Sequence, residues 1–402
     1  MGAPRRAVAA LAVLAAVGIA TVAGTAAAGT REPQAASSAR GAAPVRVGII
    51  YSRTGLLSAY GAQYRQGLLL GLQYVTKGTN RVNGRPIQLR FVDDAGDPAK
   101  AVSAARDLIG QGYRILAGST SSGVAVQLAP VAAQNRVLFI SGPAATDAIT
   151  GANRYTFRSG RQSLQDVLAA KNILGRSVGR RVVVFAQDTV FGQGNVAAVR
   201  AVLGGAGHVV SSVLVPLSAQ DFTPFAQRAR QANPDLLFVA WAGTTAPAMW
   251  RALEQQNVIR DTQVATGLAE RATWGSYVPG VNFLTHYVAE APKNKVNNWL
   301  KRRMARRNQV PDLFTPDGFV AAQMIARAVA RGGGNDVERM IRSLEGWQFV
   351  APKGVQRIRA QDHAMLQPMF QVRTRQVRGK WRAIPVKTFA PGNLQPPLRS
   401  FP

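Results

Sequence analysis

Short continuous runs of Val, Ile, Leu and Phe recur at regular intervals along the chain, each followed by a stretch with helical spacing. Val45 to Ile50, Ile87 to Val92, Tyr113 to Ala117 and Val137 to Ile140 come first. Apolar runs that are continuous rather than alternating mark parallel strands covered on both faces. Between them, Ala59 to Thr76, Asp97 to Gly110 and Gly123 to Asn135 have helical periodicity, with Gly78 and Gly112 placed as stops. The pattern predicts a βαβ ladder and so a doubly wound α/β sheet. A second ladder follows Tyr155 to Arg158. Its strands are predicted at Arg181 to Ala186, Val209 to Val215, Leu236 to Trp241 and Gln263 to Thr266. Its helices are predicted at Leu164 to Gly175, Asn195 to Gly205, Phe222 to Ala232 and Ala246 to Gln256. The third part reads as mainly helical, over Lys293 to Asn308, Asp317 to Arg331 and Asp336 to Leu344, before a closing hairpin of Phe370 to Val377 and Trp381 to Lys387. Helices without intervening parallel strands make no third sheet, so they are expected to pack on an existing ladder.

The N-terminus changes the picture. Arg5 and Arg6 precede a charge-free, alanine-rich run from Ala7 to Thr30 that contains Ala26-Ala27-Ala28. Basic start, apolar middle and small-residue cleavage region together predict a secretory signal over residues 1–29, cleaved rather than kept as an anchor, and hence an exported protein. The chain has no cysteine, which excludes a lipoprotein anchor, thiolate metal sites and cysteine nucleophiles. Beyond the signal, about 370 residues suit two lobes better than one core. Residues 30–44 read as a flexible leader and 391–402 as a proline-rich tail, with disorder confined to these ends.

The net charge of +29 raises the question of nucleic acid, but only nine of the 49 basic residues are lysine and the arginines are spread along the whole chain. The dense cluster from Lys301 to Arg307 lies on a predicted helix and reads as a solvated face. With no recognition motif, no nucleic-acid role is expected; attraction to anionic envelope polymers or lipid headgroups is.

Ligands of open α/β sheets bind beyond the carboxyl ends of strands. After the third strand comes Gly118-Ser119-Thr120-Ser121-Ser122-Gly123, and after the fourth Ser141-Gly142-Pro143-Ala144-Ala145-Thr146-Asp147. Hydroxyls and free N–H groups at helix starts bind anions, so two such loops would converge on one carboxylate; each alone also reads as a tight turn and N-cap. The first loop is no P-loop, because Val124 follows its second glycine, and Tyr51 to Gly55 lacks the dinucleotide glycines. His208, His286 and His363 have no metal or triad spacing, and Asp93-Asp94 reads as a strand end beside a helix cap. Neither a cofactor nor catalysis is expected. Tyr60, Phe191 in the glycine-rich stretch Gln187 to Gly194, and Trp241 with Thr245 just beyond it are the remaining candidates near strand ends.

The opening Val45 to Ile50 with Gly55 and Tyr60-Gly61, the Asp93-Asp94…Asp97-Pro98 turn, the Pro143 to Thr146 loop and Asp188…Phe191-Gly192-Gln193-Gly194 resemble, in order, the leucine/isoleucine/valine-binding proteins. These are type I periplasmic binding proteins, the solute receptors of ABC importers. The resemblance implies two Rossmann-like lobes joined by a hinge of three crossovers, lobe 1 being 45–158 plus 291–372 and lobe 2 being 159–290 plus 373–390. It further implies that Ser122, or Ser121 in a shifted alignment, with Ala144 and Thr146 holds a ligand carboxylate, and that Tyr60 and Phe191 flank the ligand. Amino-acid binders of the family place an acid after the fourth strand of lobe 2. Here Thr266 to Arg271 puts Glu270 late, so either Glu270 reaches an amine in a shifted loop or the ligand is an amine-free carboxylate. Expected partners are an ABC permease and ATPase, with the chain a monomer; the alternative is an exported sensor signalling to a membrane kinase.

Overall fold

The computed structural model describes residues 2, 42–175, 177–260, 262–276 and 281–402. The signal over 1–29 and nearly all of the leader over 30–44 lie outside the described residues. Among the described residues no helix is long and apolar enough to cross a membrane.

The first ladder forms β1 (Val45–Tyr51), α1 (Ser58–Val75), β2 (Arg81–Val82), β3 (Arg85–Asp93), α2 (Pro98–Gly110), β4 (Ile115–Gly118), α3 (Ser122–Gln134), β5 (Leu138–Ser141) and β6 (Thr156–Arg158). Its sheet runs β2-β3-β1-β4-β5-β6 and is parallel apart from the short β2–β3 pair. The second ladder forms α4 (Ser163–Leu174), β7 (Arg181–Gln187), α5 (Val190–Val202), β8 (Val209–Val215), α6 (Thr223–Gln231), β9 (Leu236–Ala240), α7 (Ala246–Gln255), β10 (Gln263–Gly267) and β11 (Asn282–Thr285). Then come α8 (Lys295–Ala305), α9 (Thr315–Gly332), α10 (Val337–Leu344), the small antiparallel sheet β12 (Gln348–Ala351), β13 (Gly354–Ile358) and β14 (Met365–Leu366), and the hairpin β15 (Met369–Val377) and β16 (Lys380–Phe389). The hairpin extends the second sheet, whose order is β16-β15-β11-β10-β9-β7-β8. Two α/β lobes result, each centred on one sheet.

The central strands are buried along their whole length, as continuous apolar runs require: every residue of β4, β5 and β9 is buried. The helices of the third part complete the first lobe. Val320, Met324 and Ile325 of α9 and Met340 and Ile341 of α10 share a core with Val47, Ile49 and Ile115. The α1–α9 contact is close because its surface is glycine: a Cβ on Gly67 would overlap the Thr315 carbonyl oxygen, and one on Gly318 the Tyr64 carbonyl oxygen. The third part is less purely helical than its periodicity predicts. β12 to β14 are too short and too irregular to show an alternating pattern, and only their pairing in space makes them a sheet.

The chain passes between the lobes at Ser159–Gln162, after His286 and at Gln367–Pro368, and a buried polar layer holds these passages together. Lys353 Nζ lies 2.7 Å from Asp317 Oδ1 and also donates to the Ser159 carbonyl at 3.4 Å, while His286 Nε2 stands 3.1 Å from Asp317 Oδ2 without hydrogen-bond alignment. Burial pushes His286 down to about 4, so it is neutral at pH 7, and Asp317 and Lys353 balance each other one to one. Gln165 Nε2 donates to the Met365 carbonyl and Gln367 Nε2 to Gln165 Oε1, tying the third passage to α4.

The C-terminal tail, expected to be disordered, is strapped to the first lobe. Arg359 donates to the Pro396 and Pro397 carbonyls, Arg399 N–H to Asp362 and Arg399 Nη1 to the Asp147 carbonyl, and the Phe401 ring packs edge-on against His363. Its prolines signal a lack of helix or sheet; they say nothing about whether arginines elsewhere bind its carbonyls.

Candidate functional site

Two acidic residues organise the carboxyl edge of the first sheet. Asp93 accepts from the Arg53, Thr54 and Ala95 N–H groups and the Thr54 hydroxyl, and these bonds together outweigh burial and hold it well below the usual carboxylate range. Asp94, on the opposite face of the strand end, is buried, accepts from Ser52 Oγ and the Gly96 N–H, and is raised by that burial. Asp97 caps α2 through the Ala99 and Lys100 N–H groups. The loops after β1 and β3 are thereby stapled together at the carboxyl edge of the sheet.

Beside them the chain leaves β4 through Gly118 and Ser119, both at positive φ. Ser121 is the N-cap of α3 but makes no side-chain cap bond. Ser122 Oγ accepts from the Thr146 N–H at 3.3 Å, joining the loops after β4 and β5. A helix N-terminus with no acid in its first turn carries partial positive charge towards whatever lies before it.

What lies before it is a cavity of about 450 Å³ between the lobes. Ser121, Ser122 and Tyr60 border it from one side, Phe191 and Trp241 from the other, with Arg161 and Asp166 between. The lobes close over its mouth: a Cβ on Gly123 would sit 3.8 Å from Val190 Cγ2, and one on Gly243 would meet Leu56 at 2.5 Å. A larger groove of about 950 Å³ runs along the β3 edge, but it is an open surface trough on one lobe with no convergent loops.

The candidates read from sequence separate into two groups. Tyr60, Ser121, Ser122 and Phe191 line the cavity; Ala144, Thr146, Thr245 and Glu270 stand behind its wall. Ala144 packs with Ala125, Ala129 and Ile149, and its neighbours Pro143 and Ala145 face the space. Thr146 is buried, and its Oγ1 accepts from the Ala148 N–H to cap a short turn. Thr245 Oγ1 accepts from Trp241 Nε1 at 3.0 Å, fixing an indole that also packs against Phe185 and Phe222. Glu270 accepts from the Tyr60 hydroxyl, and burial raises its carboxyl despite that bond.

Phe191 lies in the first turn of α5 and not in a loop. Thr189 caps this helix through the Gly192 N–H, and Gly192 is needed because a Cβ there would overlap the Gln187 carbonyl oxygen. Glycines required for close approach thus look, in sequence, like a loop. Sequence reading missed Arg161 and Asp166, which lie on the first passage and the first turns of α4, where no strand end advertises them. Their side chains form an ion pair at 2.7 Å with 8% and 5% exposure. The fully buried Arg158 positions this segment, donating to the Arg161 and Thr146 carbonyls.

The family model described as a periplasmic binding protein matches residues 44–379. The Leu/Ile/Val-binding protein BraC3 of Rhizobium johnstonii is 26% identical over 310 residues, 75% of this chain and 84% of that protein. The crystal structure of an ABC-type branched-chain amino acid transporter from Rhodopseudomonas palustris CGA009 is similar with a TM-score of 0.75 and 33% identity, covering 89% of this chain and 99% of that one. A solute-binding protein of an ABC transporter from R. palustris, in complex with 4-hydroxybenzoate, shares the fold with a TM-score of 0.79 at 19% identity, over 86% of this chain and 97% of that one.

Proposed function

The chain belongs to the periplasmic binding protein family, and on that premise we propose that it is the extracytoplasmic solute-binding protein of an ABC importer. It holds a small carboxylate-bearing ligand between its lobes and hands it unchanged to a membrane permease worked by an ATPase. The observation that carries this reading is the roofed cavity, in which the hydroxyls at the start of α3 on one lobe face the aromatic rings of Phe191 and Trp241 on the other. A ligand there touches both lobes, so it favours the closed arrangement over the open one, and the permease reads that difference. Ser122 and Ser121 with the α3 N-terminus receive the anionic end, and the rings receive the apolar end. Thr146, Ala144 and Glu270 act from behind by holding the loops and Tyr60 in place. The relatives named for leucine, isoleucine and valine support a branched-chain amino acid or a related aliphatic or aromatic carboxylate. The working protein lies outside the cytosol after loss of residues 1–29, as a monomer without cofactor or lipid anchor.

A thermal-shift screen against amino acids, aromatic acids, short aliphatic acids and amides tests this. A ligand at about a hundred times its Kd adds about 2.7 kcal/mol to the folded state and raises the midpoint by several degrees. A flat response to every carboxylate would remove the proposal.

A further inference from the structure

The hydroxyl loops leave one polar group of the cavity unexplained. Arg161 and Asp166 both border the space, and their side chains are more than nine-tenths buried. Within the protein the Arg161 side chain uses only Nε, which donates to Asp166 Oδ2 at 2.7 Å. Among the described residues no hydrogen bond engages its two terminal nitrogens. Nη2 points towards Gly267 at the end of β10, where a Cβ would come within 3.8 Å. Even a Cβ there would make only ordinary van der Waals contact, so the open edge of the guanidinium has room beside it. Two coplanar N–H donors on that edge match a carboxylate, and a guanidinium held by its other edge loses little freedom when it binds one.

An ammonium finds no such partner. Glu270 is off the wall, holds the Tyr60 hydroxyl, and keeps its other oxygen, Oε2, buried away from solvent. Asp166 gives Oδ2 to Arg161, and its other oxygen, Oδ1, is shielded from the open space of the cavity. Asp188, the remaining acid on the wall, is at the exposed rim and accepts from Gln193 Nε2. Leu56, Leu57, Phe191, Trp241 and Phe314 make much of the rest of the wall apolar. A buried ammonium facing them would lose its hydration without replacement.

We propose that Arg161 joins Ser121 and Ser122 as an anchor of the ligand's carboxylate and that the cleft selects amine-free, apolar carboxylic acids over the corresponding amino acids. This inference rests on the solute-binding reading above. Asp166 lets one guanidinium serve two carboxylates. The Nε side of Arg161 holds Asp166 while its terminal edge is left for the ligand, and burial raises Asp166 to about 6 against the opposing pull of Arg161.

Calorimetric titration of the purified protein with two matched pairs decides it: 4-methylpentanoate against leucine, and 3-phenylpropanoate against phenylalanine. At least one acid is expected to bind about tenfold or more tighter than its amino acid, the cost of an unpaired ammonium. Arg161→Gln leaves Asp166 without its cation, so the double variant Arg161→Gln/Asp166→Asn is tested beside it and checked for a wild-type melting profile. Both should weaken the acid by about thirtyfold, the loss of a charge-assisted pair, while changing the affinity of 4-methylpentanamide by less than about threefold. Amino acids binding as tightly as their acids, or variants binding the acids normally, would overturn the inference. So would silence from all four ligands while another carboxylate binds, and that result would leave the solute-binding reading standing. Silence from every carboxylate would end both.

Discussion

Replacing Asp317 by Asn removes one charge and almost no volume from the layer that joins the lobes. In the native protein Lys353 and Asp317 are fully buried and 2.7 Å apart, and His286 is neutral, so the cluster carries no net charge. After the change Lys353 keeps only the Ser159 carbonyl at 3.4 Å and an amide where a carboxylate stood. Breaking a buried pair from one side costs about 3–5 kcal/mol, because the surviving charge has lost its compensation. Removing both charges in Asp317→Asn/Lys353→Met should restore most of that loss. Urea unfolding of the wild type, both single variants and the double variant gives the coupling directly. The pH response supplies a second check. Burial already lowers Lys353 even with its partner present, and the Asn variant lowers it further. The folded variant then holds fewer protons than the folded wild type between their two lysine pKa values, so its deficit should shrink as pH rises through that window. An Asp317→Asn protein within about 1 kcal/mol of wild type, or a double variant no more stable than that single one, would refute the reasoning.

Other expectations concern acid behaviour and the wall of the cavity. His286, lowered to about 4, loses stability as pH falls from 6.5, whereas Asp166, raised to about 6, gains it over nearly the same window, each by about 3 kcal/mol. The two offset each other, so the melting temperature of Asp166→Asn should fall more steeply than that of wild type between pH 6.5 and 4; parallel curves would contradict this. Phe191→Ala strips apolar wall and should weaken an apolar ligand by about 1.5–3 kcal/mol in calorimetry, with unchanged affinity placing the ligand elsewhere. Thr146→Ala removes a cap behind the wall and should cost about 1 kcal/mol of stability with little change in affinity; a binding loss larger than that of Ser122→Ala would bring its hydroxyl back into the site.

Much of this molecule was legible in its residues because its strands are buried on both faces. Runs such as Val45 to Ile50 and Leu236 to Ala240 have no other stable use in a soluble fold, and their spacing dictated the two ladders. The start of α5 was misplaced because Gly192 and Gly194 look like loop residues, when Gly192 is there to let the helix approach the Gln187 carbonyl. Ser121, Ser122, Tyr60 and Phe191 were found at the cavity because strand ends are where such folds place ligands. Arg161 and Asp166 were not, since a passage between lobes has no periodicity and a single arginine among 49 basic residues has no local mark. Only the fold shows that this one turns inward.

The absence of cysteine from the chain allows closure of the two lobes around a carboxylate solute to be measured directly. Ala95 and Leu217 border the cavity from opposite lobes. Spin labels on the double variant Ala95→Cys/Leu217→Cys should report a broad distance distribution without ligand. On addition of the tightest acid from the screen, the distribution should become shorter and narrower. A ligand that raises the melting temperature yet leaves the distribution unchanged would show that it binds without closing the lobes, and would contradict lobe closure as the working motion of this protein.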